Sequence, residues 1–359
     1  MKLIALKDVC KINMGQSPNS SSYNDYGDGM PFFQGNADFG ERYPITRVWC
    51  NTPTKIAQAE DILISVRAPI GALNYAKEEC CIGRGLAAIT PDRNKVSQDF
   101  IYWALKGKKA ELNDKGNGST FKAISRKILE ETMIPDINFE QQHKCAENLE
   151  KIYGIIQNRR KELLALDDLI KARFVEMFGS PVSNPMSWEK RTLKEVCIKL
   201  NDGSHFSPES FETGDYKYVT AKNIKFSGFD FSNITYVPEA VHRPIFDRCN
   251  PEFEDVLYIK DGATTGVAIV NTLDEEFTLL SSVALLKQDR SIMNGYFLAT
   301  LLNNKDMYLN IRNNMGGAAI TRLTIAKLNA IEIIVPPIEL QNQFAAFVAE
   351  VDKSKFVVI

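Results

Sequence analysis

Histidine is scarce in this chain of 359 residues, and its cysteines are badly placed for a shared site. The three histidines, His143, His205 and His242, lie far apart and show no HExxH or similar ligand spacing. A metal enzyme would have to assemble its centre from scattered parts. The seven cysteines, Cys10, Cys50, Cys80, Cys81, Cys145, Cys197 and Cys249, are odd in number and contain no CxxC pair. That argues against a disulfide framework and a zinc ribbon, and points to a reducing cytoplasm. No apolar stretch approaches the roughly 20 residues of a membrane span, so no membrane partner is expected. The opening MKLIALKDVCKIN is charged again at Lys7 and Asp8, too polar for a signal peptide. A strong charge of one sign is also missing: 43 basic and 45 acidic residues give −2. This removes the composition argument for a nucleic-acid binder, but binding needs only a local basic face.

What is present is a duplication. The apolar share of 44% and charged share of 25% are those of ordinary globular protein, and the length favours two domains. Leu6-Lys7-Asp8-Val9-Cys10 returns as Leu193-Lys194-Glu195-Val196-Cys197, an offset of 187. The segment EDILISVRAPIG from Glu60 returns from Glu254, an offset of 194, and IPDINFEQQ from Ile134 returns as VPPIELQNQ from Val335, an offset of 201. Three ordered matches with a slow drift imply two copies of one domain, the second about 14 residues longer. Within each copy, Ile62–Val66 and Val256–Ile259 read as buried strands, each followed by a Gly-bearing turn. Phe100–Leu105 and Tyr296–Leu302 read as buried helices. The fold class expected is mixed α/β (α+β).

Between the copies the pattern changes. Leu149, Ile156, Leu163, Ile170 and Met177 fall at a strict spacing of seven, with Ile152, Leu166 and Phe174 filling the same stripe. That is the heptad signature of a long helix packed along one partner. Some 36 residues would span about 54 Å, ending at Gly179-Ser180-Pro181. The second copy restarts the stripe at Phe344, Phe347 and Val351 and then stops. The organisation expected is a first globular head over 1–140, a spacer helix over 141–178, a second head over 179–338 and a shortened second helix over 339–359. A second helix this short would cover only part of the first. The stripe around Leu149, Ile152 and Ile156 would then lack a partner and be open to self-association or to another chain.

Two similar heads on a stiff rod suit a target with two half-sites, and duplex DNA is the obvious one. Polar and basic residues cluster in loops that recur in both copies. In the first these are Gln34, Asn36, Arg67, Lys115, Asn117, Ser119, Thr120, Lys122 and Arg126. In the second they are Lys222, Asn223, Lys260, Thr264, Thr265, Arg312, Asn313, Asn314 and Arg322. Such side chains donate to phosphates and base edges, and glycine lets the backbone approach a phosphate. The plain alternative for each is a solvated turn residue; recurrence at matched positions balances the two.

The chain resembles the DNA specificity (S) subunit of type I restriction–modification systems. The likeness rests on EDILISVRAPIG, on GNGSTFKAIS, on IPDINFEQQ running into the long helix, on RFVEMFGSP followed by Trp188 and LKEVC, and on VPPIELQNQF. It implies one target recognition domain per half-site over 1–140 and 179–338, the two helices packing as an antiparallel coiled coil that sets the gap between the halves, and no catalytic centre in this chain. It also implies methyltransferase (M) subunits carrying S-adenosylmethionine, and restriction (R) subunits using ATP and Mg²⁺. No cofactor or metal is expected on this chain itself. The residues agree: Asn184-Pro185-Met186-Ser187 and Asn250-Pro251-Glu252-Phe253 lack the second proline of an adenine methyltransferase motif, and no GxxxxGK[ST] is present. Glu60-Asp61 and Glu254-Asp255 read as strand-entry turns rather than Mg²⁺ ligands. The second reading is a duplicated small-ligand- or carbohydrate-binding protein, or an enzyme, with clefts built from the same loops.

Overall fold

The computed structural model describes residues 2–117, 122–313 and 322–358, with side chains to residue 355. Ser119, Thr120 and Asn314 lie outside the described residues. The chain divides into two units, Met1–Gln157 and Asn158–Ile359.

Each unit is built on the same four-stranded antiparallel sheet. In the first, the order is Cys10–Met14, Leu86–Pro91, Ile62–Ser65, Leu73–Tyr75; in the second, it is Cys197–Asp202, Val283–Gln288, Val256–Ile259, Ala268–Val270. The central strands are buried throughout, as their near-continuous apolar sequences require. Ser65 pairs with Leu86 and Ile259 with Val283, so the registers correspond. Each central strand is entered through a residue in the left-handed region, Glu60 and Glu254, both at φ 68°. The next residue fixes that corner: Asp61 accepts the Gln58 N–H and Asp255 the Glu252 N–H, both at 2.8 Å. These carboxylates are therefore turn residues, and no metal-holding cluster of His, Cys, Asp and Glu occurs among the described residues.

A two-stranded clasp joins the beginning of each copy to its end: Leu3–Ala5 with Met133–Pro135, and Lys190–Thr192 with Glu332–Ile334. The clasp corrects the sequence alignment. Leu3 faces Pro135 and Lys190 faces Ile334, so the closing offset is 199. The value of 201 came from matching prolines, but the shared constraint is strand pairing, not the proline. A helix, Gln98–Gly107 or Gly295–Asn303, packs on each sheet through its apolar face. The copies differ mostly in the outer strands. The second carries a helix, Glu239–Arg248, against the strand Thr278–Leu279, with His242 stacked on Tyr216.

The long helix runs from Phe139 to Phe178, 40 residues or about 60 Å. Within the first unit its start is pinned by Gln142, 3% exposed, whose Oε1 accepts the Ser97 N–H at 2.7 Å while Nε2 donates to the Ile137 carbonyl at 2.8 Å. The second copy repeats the device. Gln341, fully buried at the start of the helix Ile338–Val358, accepts the Asn294 N–H at 2.9 Å and donates to the Pro336 carbonyl at 2.7 Å. Tyr153 then packs on Trp103 and under the Lys106 ammonium, and Glu150 binds Arg42.

Within the second unit, Phe174 and Phe178 are buried against Phe297 and Phe344. Arg173 lies over Phe347, and Lys355 is 2.7 Å from Asp167. The numbers run in opposite directions, so the C-terminal helix lies antiparallel along this stretch of the long helix. Ile170, Met177, Leu163, Leu166 and Phe347 are half-buried, while Phe344 and Val351 are buried. By contrast, Leu149, Ile152 and Ile156 are 42%, 53% and 43% exposed.

Removing the amide of Gln142 strands a buried backbone N–H. Gln142→Leu should cost about 1–3 kcal/mol and raise hydrogen exchange at residues 97–105, while Gln341→Leu should do so at 294–302. Unchanged protection in both would show that the amides do not anchor the helices.

Candidate nucleic-acid interface

At the end of each central strand, loops from distant parts of the copy are stitched together by backbone hydrogen bonds. In the first copy Gly85 N–H donates to Gln34 O at 3.1 Å, Val66 N–H to Gly85 O at 2.9 Å, and Ile124 N–H to Val66 O at 2.9 Å. Arg67 and Ala123 form an antiparallel bridge, and Asn117 pairs with Ala123 by two bonds of 3.0 Å. Four loops thus meet on one rim. The second copy repeats two backbone rungs, Lys260 N–H to Ser282 O at 2.9 Å and Leu323 N–H to Lys260 O at 2.9 Å, while the outer rung is remade with the opposite direction and a side chain, Ala221 N–H to Ser282 Oγ at 3.3 Å. Asp261 and Arg322 occupy the bridge.

The first rim holds most of its sequence-predicted residues in the open. Gln34, Arg67, Lys115, Asn117, Lys122 and Arg126 are exposed, and Asn36 is half-exposed at the start of a single helical turn. Gln34 is oriented by Ser17, whose hydroxyl lies 2.9 Å from Nε2. Lys115 and Arg126 make helical-surface ion pairs with Glu111 and Glu130 at 2.6 and 2.7 Å. Such exposed pairs are worth little and exchange readily for a stronger anion. No ion pair is recorded for Arg67 or Lys122 among the described residues.

The second rim requires three corrections. Lys260 is not a surface contact: it is 2% exposed, with Nζ 2.9 Å from Asp261 Oδ2 and 3.3 Å from Asp202 Oδ2. A buried ammonium this enclosed is tied up in its ion pairs, which offset its desolvation. Asn223 is 3% exposed because its Oδ1 accepts the Thr220 N–H and hydroxyl, both at 3.0 Å. Thr265 is fully buried, with its hydroxyl on Gly262 O at 2.6 Å. All three shape the loops from inside. Arg312 is intermediate: Nη1 donates to Thr265 O at 2.8 Å and to the Tyr308 hydroxyl at 3.0 Å, bracing the turn. Lys222, Thr264, Asn313 and Arg322 remain exposed.

Two residues of the rims went unnoticed in the sequence. Arg84 is exposed between Gly83 and Gly85, with its N–H 3.2 Å from Ser17 Oγ. A Cβ on Gly85 would come within 2.4 Å of Gln34 O, so this corner tolerates only glycine beside the arginine. The Gly-Arg-Gly run between two strands was the available signal. Asp261, the acidic member of the second bridge, carries no sequence signal of its own, since an acid in a Gly-bearing turn is an ordinary turn residue.

Two concavities lie against the short helix of their own unit: one of about 590 Å³ is lined by Pro69, Ile70, Lys106, Lys109 and Asn113, and one of about 430 Å³ by Pro181, Val182, Lys190, Met307 and Asn310.

Comparison with known proteins identifies the family. The family model described as the type I restriction modification DNA specificity domain matches residues 1–166 and again 185–356. The chain is 47% identical over 152 residues to a putative type I restriction enzyme MjaX specificity subunit of Methanocaldococcus jannaschii, a match covering 42% of this chain and 36% of that relative. It is 24% identical over 375 residues to the MjaIX specificity subunit of the same organism, covering 96% of this chain and 84% of that one. A crystal structure of the type I restriction–modification S subunit from M. genitalium shares the fold with a TM-score of 0.60 at 17% identity, over 99% of this chain and 90% of that one. With its domain matched twice in tandem, the chain belongs to the type I restriction–modification DNA specificity family.

Proposed function

We propose that this chain is the non-catalytic, DNA-reading subunit of a type I restriction–modification complex, with each copy reading one half of a split duplex site. The observation that carries the reading is the pair of matched rims. One backbone ladder recurs at the same end of the same sheet, while the side chains mounted on it differ. A scaffold that holds backbone constant and varies loop side chains suits two readers with different targets.

In this reading the recognition domains span 1–140 and 179–338. The helices over 141–178 and 339–359 act as an antiparallel coiled-coil spacer that sets the unread gap. The exposed residues Leu149, Ile152 and Ile156 are the docking stripe for a methyltransferase subunit. That subunit would supply S-adenosylmethionine, and ATP- and Mg²⁺-dependent restriction subunits would join the assembly. The site of action is the cytoplasm.

Sequencing methylated DNA from a host that expresses the chain with its methyltransferase subunit tests this directly. The expected result is a split motif with one methylated adenine in each half. A contiguous motif, or none, would overturn the reading. Binding should also weaken steeply with salt, log K falling linearly with log salt by about 0.9 per phosphate neutralised; a flat dependence would favour a neutral ligand. Ile152→Glu should abolish co-purification of the methyltransferase subunit while changing the chain's own stability by no more than about 0.5 kcal/mol, as expected for an exposed site. Retained co-purification would move the docking surface elsewhere.

A further inference from the structure

The two rims carry their arginine on opposite sides of one backbone bridge. In the first copy Arg67 stands on the hairpin side and Ala123 faces it; in the second, Asp261 stands on the hairpin side and Arg322 faces it. The positions correspond through the ladder, since Ile124 N–H binds Val66 O and Leu323 N–H binds Lys260 O, each one residue along from the bridge. We infer that each head offers one base-reading arginine at this bridge, Arg67 in the first and Arg322 in the second, and that Asp261, held by buried Lys260, is the positioning residue for Arg322. This rests on the DNA-reading role proposed above.

The contrast beneath the bridge supports the assignment. Asp261 Oδ2 accepts from Lys260 Nζ at 2.9 Å, and Asp261 Oδ1 lies 3.3 Å from Arg322 Nε. Lys260 is also 3.3 Å from Asp202, whose side chain is only 4% exposed. By strand register Asp202 faces Ala284 as Met14 faces Ala87, and Lys260 takes the place of Val66. The first copy thus fills these two positions with an apolar pair, and the second with an ion pair. A buried ion pair seldom adds stability over an apolar one. The gain is geometric: Lys260 fixes one oxygen of Asp261, leaving the other, which accepts no hydrogen bond here, at ion-pair distance, 3.3 Å, from Nε of the exposed Arg322. The two terminal nitrogens of Arg322 then form the planar fork that matches O6 and N7 of guanine. Among the described residues Arg67 has no such brace: it stands exposed opposite Ala123 and forms no ion pair. The same fork could instead take a phosphate, which would carry no base preference.

The test is selection from a randomised duplex library by the full chain with its methyltransferase subunit. For the wild type, a split motif with a guanine preference in each half is expected. Arg67→Ala should lower discrimination at one base pair of one half by about 5- to 150-fold, and Arg322→Ala at one base pair of the other half by a similar factor. Asp261→Asn should weaken the same position as Arg322→Ala and add nothing to it in the double variant. A uniform loss of affinity across all sequences, with the salt slope reduced by about 1, would make these arginines phosphate contacts and overturn the inference while leaving DNA reading intact. Failure of the wild type to select any split motif would sink the underlying role instead. Lys260→Val combined with Asp202→Met installs the first copy's pair and leaves the net charge unchanged; it also frees the partly exposed Arg248 and His205 from Asp202, so both stay solvated. It should fold with native hydrogen-exchange protection yet lose discrimination as Asp261→Asn does. Retained discrimination would remove the positioning role of Lys260.

Discussion

The architecture depends on one buried amide at the root of each helix. Gln142 and Gln341 sit one turn into their helices, and each is satisfied at both ends by main chain. The acceptor end takes the N–H of the residue that opens the head's own helix, Ser97 or Asn294. The donor end closes the extended segment leading out of the clasp. Any rotation of the rod about its root would break two buried hydrogen bonds at once, and unmade buried bonds cost far more than made ones gain. The chain therefore does not merely connect a head to a helix; it fixes the direction in which the helix leaves.

Beyond the root, the two units use different chemistry to hold the rod. The first adds polar and aromatic contacts: Arg42 on Glu150, and the Lys106 ammonium 3.6 Å from the centre of the Tyr153 ring. Lys106 has its pKa lowered by burial, opposed in part by Glu150. The second adds an aromatic cluster of Phe174, Phe178, Phe297 and Phe344, with the C-terminal helix laid over it. The duplication thus preserves the joint while the surroundings drift, as it preserves the rim ladder while the side chains mounted on it drift. Constraint lies in the backbone geometry, and variation lies in what that backbone displays.

Much of this was legible in the sequence because it is written in local pattern. The apolar run Ile62–Ser65, its twin Val256–Ile259 and the heptads from Leu149 to Met177 depend on spacing alone. The family resemblance followed from their order, and the family model covers both copies. What was misread depends on contacts that spacing cannot show. Lys260 looks like a turn cation until Asp202, 58 positions away, is folded against it. Asn223 and Thr265 look like donors to a ligand, yet their polar atoms are used by Thr220 and Gly262. The closing offset slipped by two because a shared proline is more visible in a string than a shared strand register. Arg84 was overlooked because the value of Gly83 and Gly85 lies in their approach to Gln34, about 50 residues upstream.

The near-neutral charge of the chain looks hostile to a polyanion, and the structure resolves the difficulty. Many of its carboxylates are not free surface charge. Asp61 and Asp255 cap strand corners, Asp202 and Asp261 enclose Lys260, Glu150 holds Arg42, and Glu195 closes a capping box on Thr192. Hydrogen bonds from the Thr192 hydroxyl and N–H keep the Glu195 carboxyl below its usual range, so it stays ionised and bound to its own helix. The exposed cations Arg67, Arg84, Lys122, Lys222 and Arg322 stand on the rims instead. The field that matters to a phosphate is set within a Debye length, about 8 Å at physiological salt. Within that range the sum over all 359 residues does not decide the local field, which depends on the charges nearest each rim.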